Sequence, residues 1–289
     1  MRLYYFLLLL VMMGCTKEIE LEQEPYERKI VVDGWIENDK GAQVVLTMSS
    51  PFLTEYDSAS IRNTFLNYAK VTLITGSGEK EVLTLTQQKN FFPPFIYKSI
   101  KIKGEVGKNY QLEVVYRNKL IKAQTTIPKL PEIQNVWCAP VSDSSMLIKA
   151  ELLDNANERN YYYSQINVKH IDTRFHPSDD PLINDNLFDG DKVVIQVKRK
   201  NQPDPLKIHD IDNKRSLLPY EFALTDTVYV KISQIDQQSY KVLNGIHFNR
   251  MIQGSPFTFV DQKTNTNIEG GIGRWTGLAS RNYLIYHEK

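Results

Sequence analysis

Tyr110-Gln111-Leu112-Glu113-Val114-Val115-Tyr116 decides the fold of this chain. Tyr110, Leu112 and Val114 take alternate positions, with Gln111 and Glu113 between them. Successive side chains of an extended strand point to opposite faces, so one face here is buried and the other wet. That is the pattern of an antiparallel sheet covered on one side. Working outward, runs rich in Val, Ile, Tyr and Thr recur at short spacing. Upstream they are Lys29–Glu37, Gln43–Ser49, Lys70–Thr75, Glu81–Thr86 and Ile96–Ile102, and downstream Lys119–Ile127. Thr75-Gly76-Ser77-Gly78-Glu79 reads as a hairpin turn, because Gly takes positive φ at little cost. Arg117-Asn118-Lys119 is a second tight turn.

Strands at this density predict an immunoglobulin-like β-sandwich over residues 28–128. Ile127-Pro128-Lys129-Leu130-Pro131 ends the series, since proline lacks the ladder donor, and marks a domain boundary. A second β-rich domain is expected over 132–289. Its candidate strands are Glu132–Ala139, Ser145–Leu153, Tyr161–Ile171, Val193–Arg199, Thr227–Ser233, Phe257–Phe259 and Tyr283–Tyr286. Asp172–Asp191 is polar, contains Pro177 and Pro181, and reads as a surface loop. One helix is expected near 234–250, with Ser233 as N-cap and Asp236 three residues on. The fold class is therefore all-β, with one α-helix in the second domain.

The chain opens with Arg2, an apolar run from Leu3 to Met13, then Gly14 and Cys15. Cation, short apolar run and small residue are the parts of a secretory signal. Eleven apolar residues are too few for a membrane-spanning helix, which needs about 20. A cysteine directly after the small residue resembles the bacterial lipobox. Residues 1–14 then form a lipoprotein signal peptide, and Cys15 carries the lipid. The alternative is an ordinary signal peptide with an incidental cysteine. Residues 15–27 would be the acylated cysteine and its tether, in which Glu18, Glu20, Glu22 and Glu24 either resemble a surface-export signal or keep a linker extended.

Without Arg2, basic and acidic side chains balance at 34 each. A neutral, interspersed charge pattern argues against nucleic acid, which needs a dense basic footprint. Attachment to a membrane would come from acyl chains. Cys138, the second cysteine, lies in apolar Val136-Trp137-Cys138-Ala139 and is expected to be a buried, inert thiol.

Several landmarks together carry a family resemblance. They are the lipobox cysteine, Ile30-Val31-Val32-Asp33-Gly34-Trp35-Ile36, Ser49-Ser50-Pro51, Asn109–Val114 and Ala123–Pro128. Towards the C-terminus come Ser255-Pro256-Phe257 and Asn267-Ile268-Glu269-Gly270-Gly271-Ile272-Gly273, followed by Trp275. The chain resembles the DUF4249 family of outer-membrane lipoproteins of Bacteroidota over nearly its whole mature length. The resemblance implies an outer-membrane, lipid-anchored protein, an accessory or ligand-binding partner of a TonB-dependent receptor in nutrient uptake, and the acidic tether, read as an export signal, would place it facing the cell exterior. It brings no enzymatic activity, catalytic residue or cofactor, so a non-catalytic role is expected.

Other constellations read as structural. Gly270-Gly271-Ile272-Gly273 lacks the following helix and Lys of a phosphate cradle and reads as a turn or bulge. Asn184–Asp191 is rich in oxygen ligands, but its apolar residues fall on ligand positions of the helical calcium loop, so it reads as an Asx-capped turn, with an irregular calcium site as the alternative. His170 and His176 lie six apart, which fits no common zinc motif, and no metal is expected. Phe91, Phe92 and Phe95, around Pro93-Pro94, sit between two strands and suit contact with a partner; the alternative is that they plug the sandwich. Tyr161-Tyr162-Tyr163 raises the same choice. Two further functions stay open: a surface hydrolase of glycans or peptides, whose carboxylates need only meet in the fold, and a structural or adhesive surface protein.

Overall fold

The computed structural model describes residues 27–50, 57–88, 93–156, 158–188, 190–199, 220–252 and 265–287. The first half carries β1 (Ile30–Glu37), β2 (Gly41–Met48), α1 (Ser58–Asn63), β3 (Lys70–Thr75), β4 (Lys80–Val82), β5 (Thr84–Gln87), β6 (Phe95–Lys103), β7 (Asn109–Tyr116) and β8 (Lys119–Thr126). The second half carries β9 (Glu132–Pro140), β10 (Ser145–Leu153), β11 (Tyr161–Val168), β12 (His176–Asn184), β13 (Lys192–Val197), β14 (Phe222–Ala223), β15 (Val228–Ile235), α2 (Gln237–Ile252), β16 (Ile268–Glu269) and β17 (Ile272–Ile285).

These strands build three sheets. The largest has the order β12-β11-β15-β17-β1-β2-β6-β5. A five-stranded sheet, β16-β8-β7-β3-β4, packs over the β1 side. The core between them contains Val32, Ile36, Val44, Leu73, Leu112 and Trp275. A smaller sheet, in which β10 pairs with β9, β13 and β14, packs over the β15 side. Its core contains Met146, Ile148, Ile166, Phe222, Val230 and Ile232. The alternation in Tyr110–Tyr116 is thus explained: Tyr110, Leu112 and Val114 fill the first core.

The all-β sandwich architecture holds, but one strand joins its two halves. β17 is 14 residues long. It pairs in parallel with β1 along one edge and antiparallel with β15 along the other. Trp275 and Ala279 lie in the first core, and Ile285, with Tyr283 packed beside it, in the second. The sandwich expected over 28–128 therefore takes part of its wall from residues 268–279. The short strand expected at Tyr283–Tyr286 is instead the end of this long one, which stops at Ile285.

Three other segments differ from the sequence reading. Asp172–Asp191 is not a wandering loop: it holds β12 and a short 3-10 turn, Asp185–Leu187. β12 is an edge strand, the place where Pro177 and Pro181 cost fewest ladder bonds. Glu81–Thr86 splits into β4 and β5, which enter different sheets. The helix starts later than expected. Asp236, not Ser233, is its cap: Ser239 N donates to Asp236 Oδ1 at 2.6 Å. Ser233 remains in β15, its hydroxyl 2.8 Å from that of Ser280. α2 covers the other face of the large sheet, where Leu243 packs with Tyr163, Ile235 and Leu278. Phe257–Phe259 and the Ser255-Pro256-Phe257 landmark lie outside the described residues.

Candidate functional site

The two most specific landmarks, Val31–Ile36 and Asn267–Gly273, form one structural unit. β1 and β17 pair with Gly34 opposite Trp275 and Asp33 opposite Arg274. Arg274 Nε donates to Asp33 Oδ1 at 2.6 Å. The Trp275 indole is fully buried and its Nε1 donates to the Tyr110 carbonyl at 3.0 Å. Asn267 brackets the same residue: Trp275 N donates to Asn267 Oδ1 at 2.9 Å, and Asn267 Nδ2 donates to Trp275 O at 2.7 Å. Two glycines make this possible. A Cβ on Gly34 would stand 2.8 Å from Trp275 Cε3. Gly273 has φ +117 and lies against the Val32 backbone, where a side chain has neither conformation nor space.

Beside this unit a charge pair is buried in the large sheet. Lys231 Nζ donates to Glu37 Oε2 at 2.9 Å, and Lys40 Nζ to Oε1 at 2.8 Å. Glu37 is 4% exposed and Lys231 7%. Burial pushes the Glu37 carboxyl up, but the two ammonium groups outweigh it and hold the carboxyl below its ordinary value. The Phe175 ring lies 4.5 Å from Lys231 Nζ. With every charged atom engaged, the arrangement fixes β1 against β15 across β17.

Of the residues singled out in sequence, Cys15, Phe91 and Phe92 lie outside the described residues. Phe95 opens β6, half-buried, paired with Gln87 of β5. Gln88 N donates to the Pro94 carbonyl at 2.8 Å, next to the β5–β6 pair at the edge of the large sheet. The position of Phe95 follows from register. Ile30 pairs with Met48, and β6 runs antiparallel to β2 with Tyr97 on Val44 and Lys103 on Gly41. Phe95 therefore lies towards the Met48 end, the end at which the chain enters from Glu27. Tyr161-Tyr162-Tyr163 is absorbed by packing: the Tyr161 ring stacks 4.9 Å from Tyr240, Tyr162 OH donates to Asp154 at 2.7 Å, and Tyr163 is buried.

Cys138 corrects an expectation. It lies on β9 beside the sheet edge, half-buried rather than buried, with Sγ 4.0 Å from His287 Nδ1. His176 Nε2 is 3.1 Å from Asp172 Oδ2, whereas His170 is exposed in a turn at φ 65. Asn184 caps the 3-10 turn through Asn186 N at 3.2 Å. Asp185 is fully buried, its Oδ2 accepting from Asn160 N at 2.6 Å. Asp189 lies outside the described residues.

Sequence reasoning missed a cleft of about 540 Å³ on the outer face of the five-stranded sheet. Gln111, Glu113, Lys122, Gln124, Gln238 and Glu269 line it. Lys122 is the register partner of both Glu113 and Glu269, so the two carboxylates flank an ammonium group. Asn109, Gln111 and Glu113 of β7 and Lys122, Gln124 and Thr126 of β8 are polar at alternate positions, which betrays a wet face, but the pairing of β16 with β8 carries no local signal.

An all-β, sandwich-like protein in which, among the described residues, the first and last long strands pair in parallel is the class that these observations define. The chain belongs to the family described as Domain of unknown function (DUF4249), whose model matches residues 16–282. No curated protein is significantly similar to it. Among solved structures, a DUF4785 family protein from Legionella pneumophila is similar at 13% identity and a TM-score of 0.21, over 72% of this chain and 51% of that one. The chain thus spans about half of that relative. Trypsin-activated alpha-2-macroglobulin from Escherichia coli is similar at 7% identity and a TM-score of 0.24, over 91% of this chain and 16% of that one. Bovine butyrophilin is similar at 6% identity and a TM-score of 0.18, over 73% of this chain and 93% of that one. Likenesses this distant carry no functional argument.

Proposed function

We propose that this protein is a non-catalytic lipoprotein of the outer membrane, tethered through Cys15 and docking against a TonB-dependent receptor in nutrient uptake. The observation that carries the reading is the run Arg2, Leu3–Met13, Gly14, Cys15. The placement of Phe95 supports it. Phe95 lies towards the end of the sandwich that holds Glu27, the first described residue after the acidic stretch. Aromatic side chains at such a place supply large contact area at low entropic cost.

The test is co-purification in mild detergent. Phe91→Ser, Phe92→Ser and Phe95→Ser together should abolish recovery of the receptor while leaving the circular dichroism spectrum unchanged. Unchanged recovery contradicts the docking role of these residues.

One observation favours a second reading, a surface hydrolase. Glu113 and Glu269 share the polar cleft, two strands apart, or about 10 Å between their backbones. That is near the spacing of an inverting carboxylate pair. Lys122 between them and their contact with water speak against it, because a general acid needs surroundings that keep it protonated. Glycan hydrolysis by the wild type that Glu113→Gln abolishes would restore this reading.

A further inference from the structure

We propose that the tethered end of the sandwich rests directly on the bilayer, with its exposed apolar residues among the headgroups and its cations on lipid phosphates. The inference rests on the reading of Cys15 as the acylated residue and goes beyond it, because a tether alone fixes no orientation. From Cys15 to Glu27 the chain can extend to about 40 Å, more than the roughly 27 Å length of an eight-residue strand such as β1. Non-covalent contact must therefore decide which surface meets the lipid.

The tethered end has the composition that such contact requires. The first residue of β1 pairs with Met48, and Lys119 at the start of β8 lies 3.5 Å from Glu27. Leu120 follows it, paired with Val115 of β7, and Val115 pairs in turn with Lys70 at the start of β3. Tyr68 lies two residues before that start. Tyr68 is 89% exposed, Leu120 52% and Val115 43%. Around them stand Arg28, Lys29, Lys70, Arg117 and Lys119, all exposed. An exposed tyrosine with aliphatic neighbours and a ring of Lys and Arg is the chemistry of the membrane–water interface. Cations near anionic lipid add attraction that falls off within a Debye length.

The opposite end is the internal control. Ile100 there is 70% exposed, close to Lys101 and Lys103. It lies near the Gly41 end of β2, a strand's length from the tether.

The experiment uses the acylated protein in a Cys138→Ser background. Tyr68→Cys, Leu120→Cys or Ile100→Cys is labelled with a polarity-sensitive thiol probe. Each is reconstituted on phosphatidylglycerol–phosphatidylcholine vesicles. Probes at 68 and 120 should shift to the blue and brighten severalfold, and the probe at 100 should stay as in water. Raising salt should partly reverse the change. Protein that floats with the vesicles while probes 68 and 120 remain water-like overturns the inference and spares the anchor. A response at 100 instead of 68 also overturns it. Protein that does not float at all removes the anchor and the inference together. A probe at 68 that responds only when receptor-bearing membranes are supplied assigns this end to a protein partner and refutes lipid contact.

Discussion

Gly34 leaves open the space that the Trp275 indole occupies. The two residues are register partners in a parallel pair formed by strands from opposite ends of the chain. The Asp-Gly-Trp start and the Gly-rich Asn267–Gly273 stretch are thus two sides of one packing site.

Gly34→Ala should therefore destabilise the protein by about 1–3 kcal/mol, the usual cost of overpacking. The ring is held by its Nε1 bond to Tyr110 and the Trp275 backbone by Asn267, so the indole cannot yield easily. Trp275→Ala should cost more, about 3–5 kcal/mol, by leaving a cavity. Urea midpoints measure both, and an unaffected Gly34→Ala midpoint would show that the indole has room to move.

β17 belongs to both cores, so the two halves should unfold as one. A chain ending at residue 267 should lose the native fold in its first half as well as its second. Residues 28–128 alone should give a poorly dispersed NMR spectrum. Two separated unfolding transitions in the full chain, or a folded 28–128 fragment, would contradict the shared strand.

Lys231→Met should be costly because it strands the Glu37 carboxylate in the sheet. Removing one partner of a buried pair typically costs about 3–5 kcal/mol, and Lys40 retains some of that charge balance here. The double variant Lys231→Met with Glu37→Leu should recover much of the loss. A double variant no better than the single would mean that packing, not charge, sets the cost.

Glu81 makes a pH-dependent contribution. Its carboxylate accepts from the backbone N–H groups of Ile100, Lys101 and Ile102 at 2.7, 3.0 and 2.7 Å, and from the Ser99 hydroxyl at 2.7 Å. Burial opposes the charge, but the backbone donors prevail and bring the pKa from 4.5 to about 2. A carboxylate depressed in the folded state stabilises fully above its unfolded pKa and loses that effect as pH falls through the folded value. Glu81→Gln should lower the melting temperature near neutral pH. The gap should narrow between pH 4.5 and about 2. A gap that is constant across this range would remove Glu81 from the account.

Much of this fold is legible in the sequence because alternation is a local signal. β1, β2, β3, β7, β8 and β10 follow directly from it. The mislocated helix cap has a plain cause: Ser233 is a good cap residue in isolation, yet a neighbouring strand offers it Ser280, and only the fold reveals that competition. β12 was hidden by prolines that an edge position tolerates. The parallel β1–β17 pair joins residues about 240 apart, as between Asp33 and Arg274, and no short-range pattern encodes it. The cleft was hidden for the same reason, since Glu269 and Lys122 meet only through β16.

The mass of the N-terminal peptide of the native protein tests the account most directly. A peptide beginning at Cys15 with fatty acyl chains attached, recovered from the outer-membrane fraction, is the predicted result. A peptide that begins elsewhere, or one with an unmodified Cys15 from the soluble fraction, would contradict the anchor and with it the proposed receptor partnership.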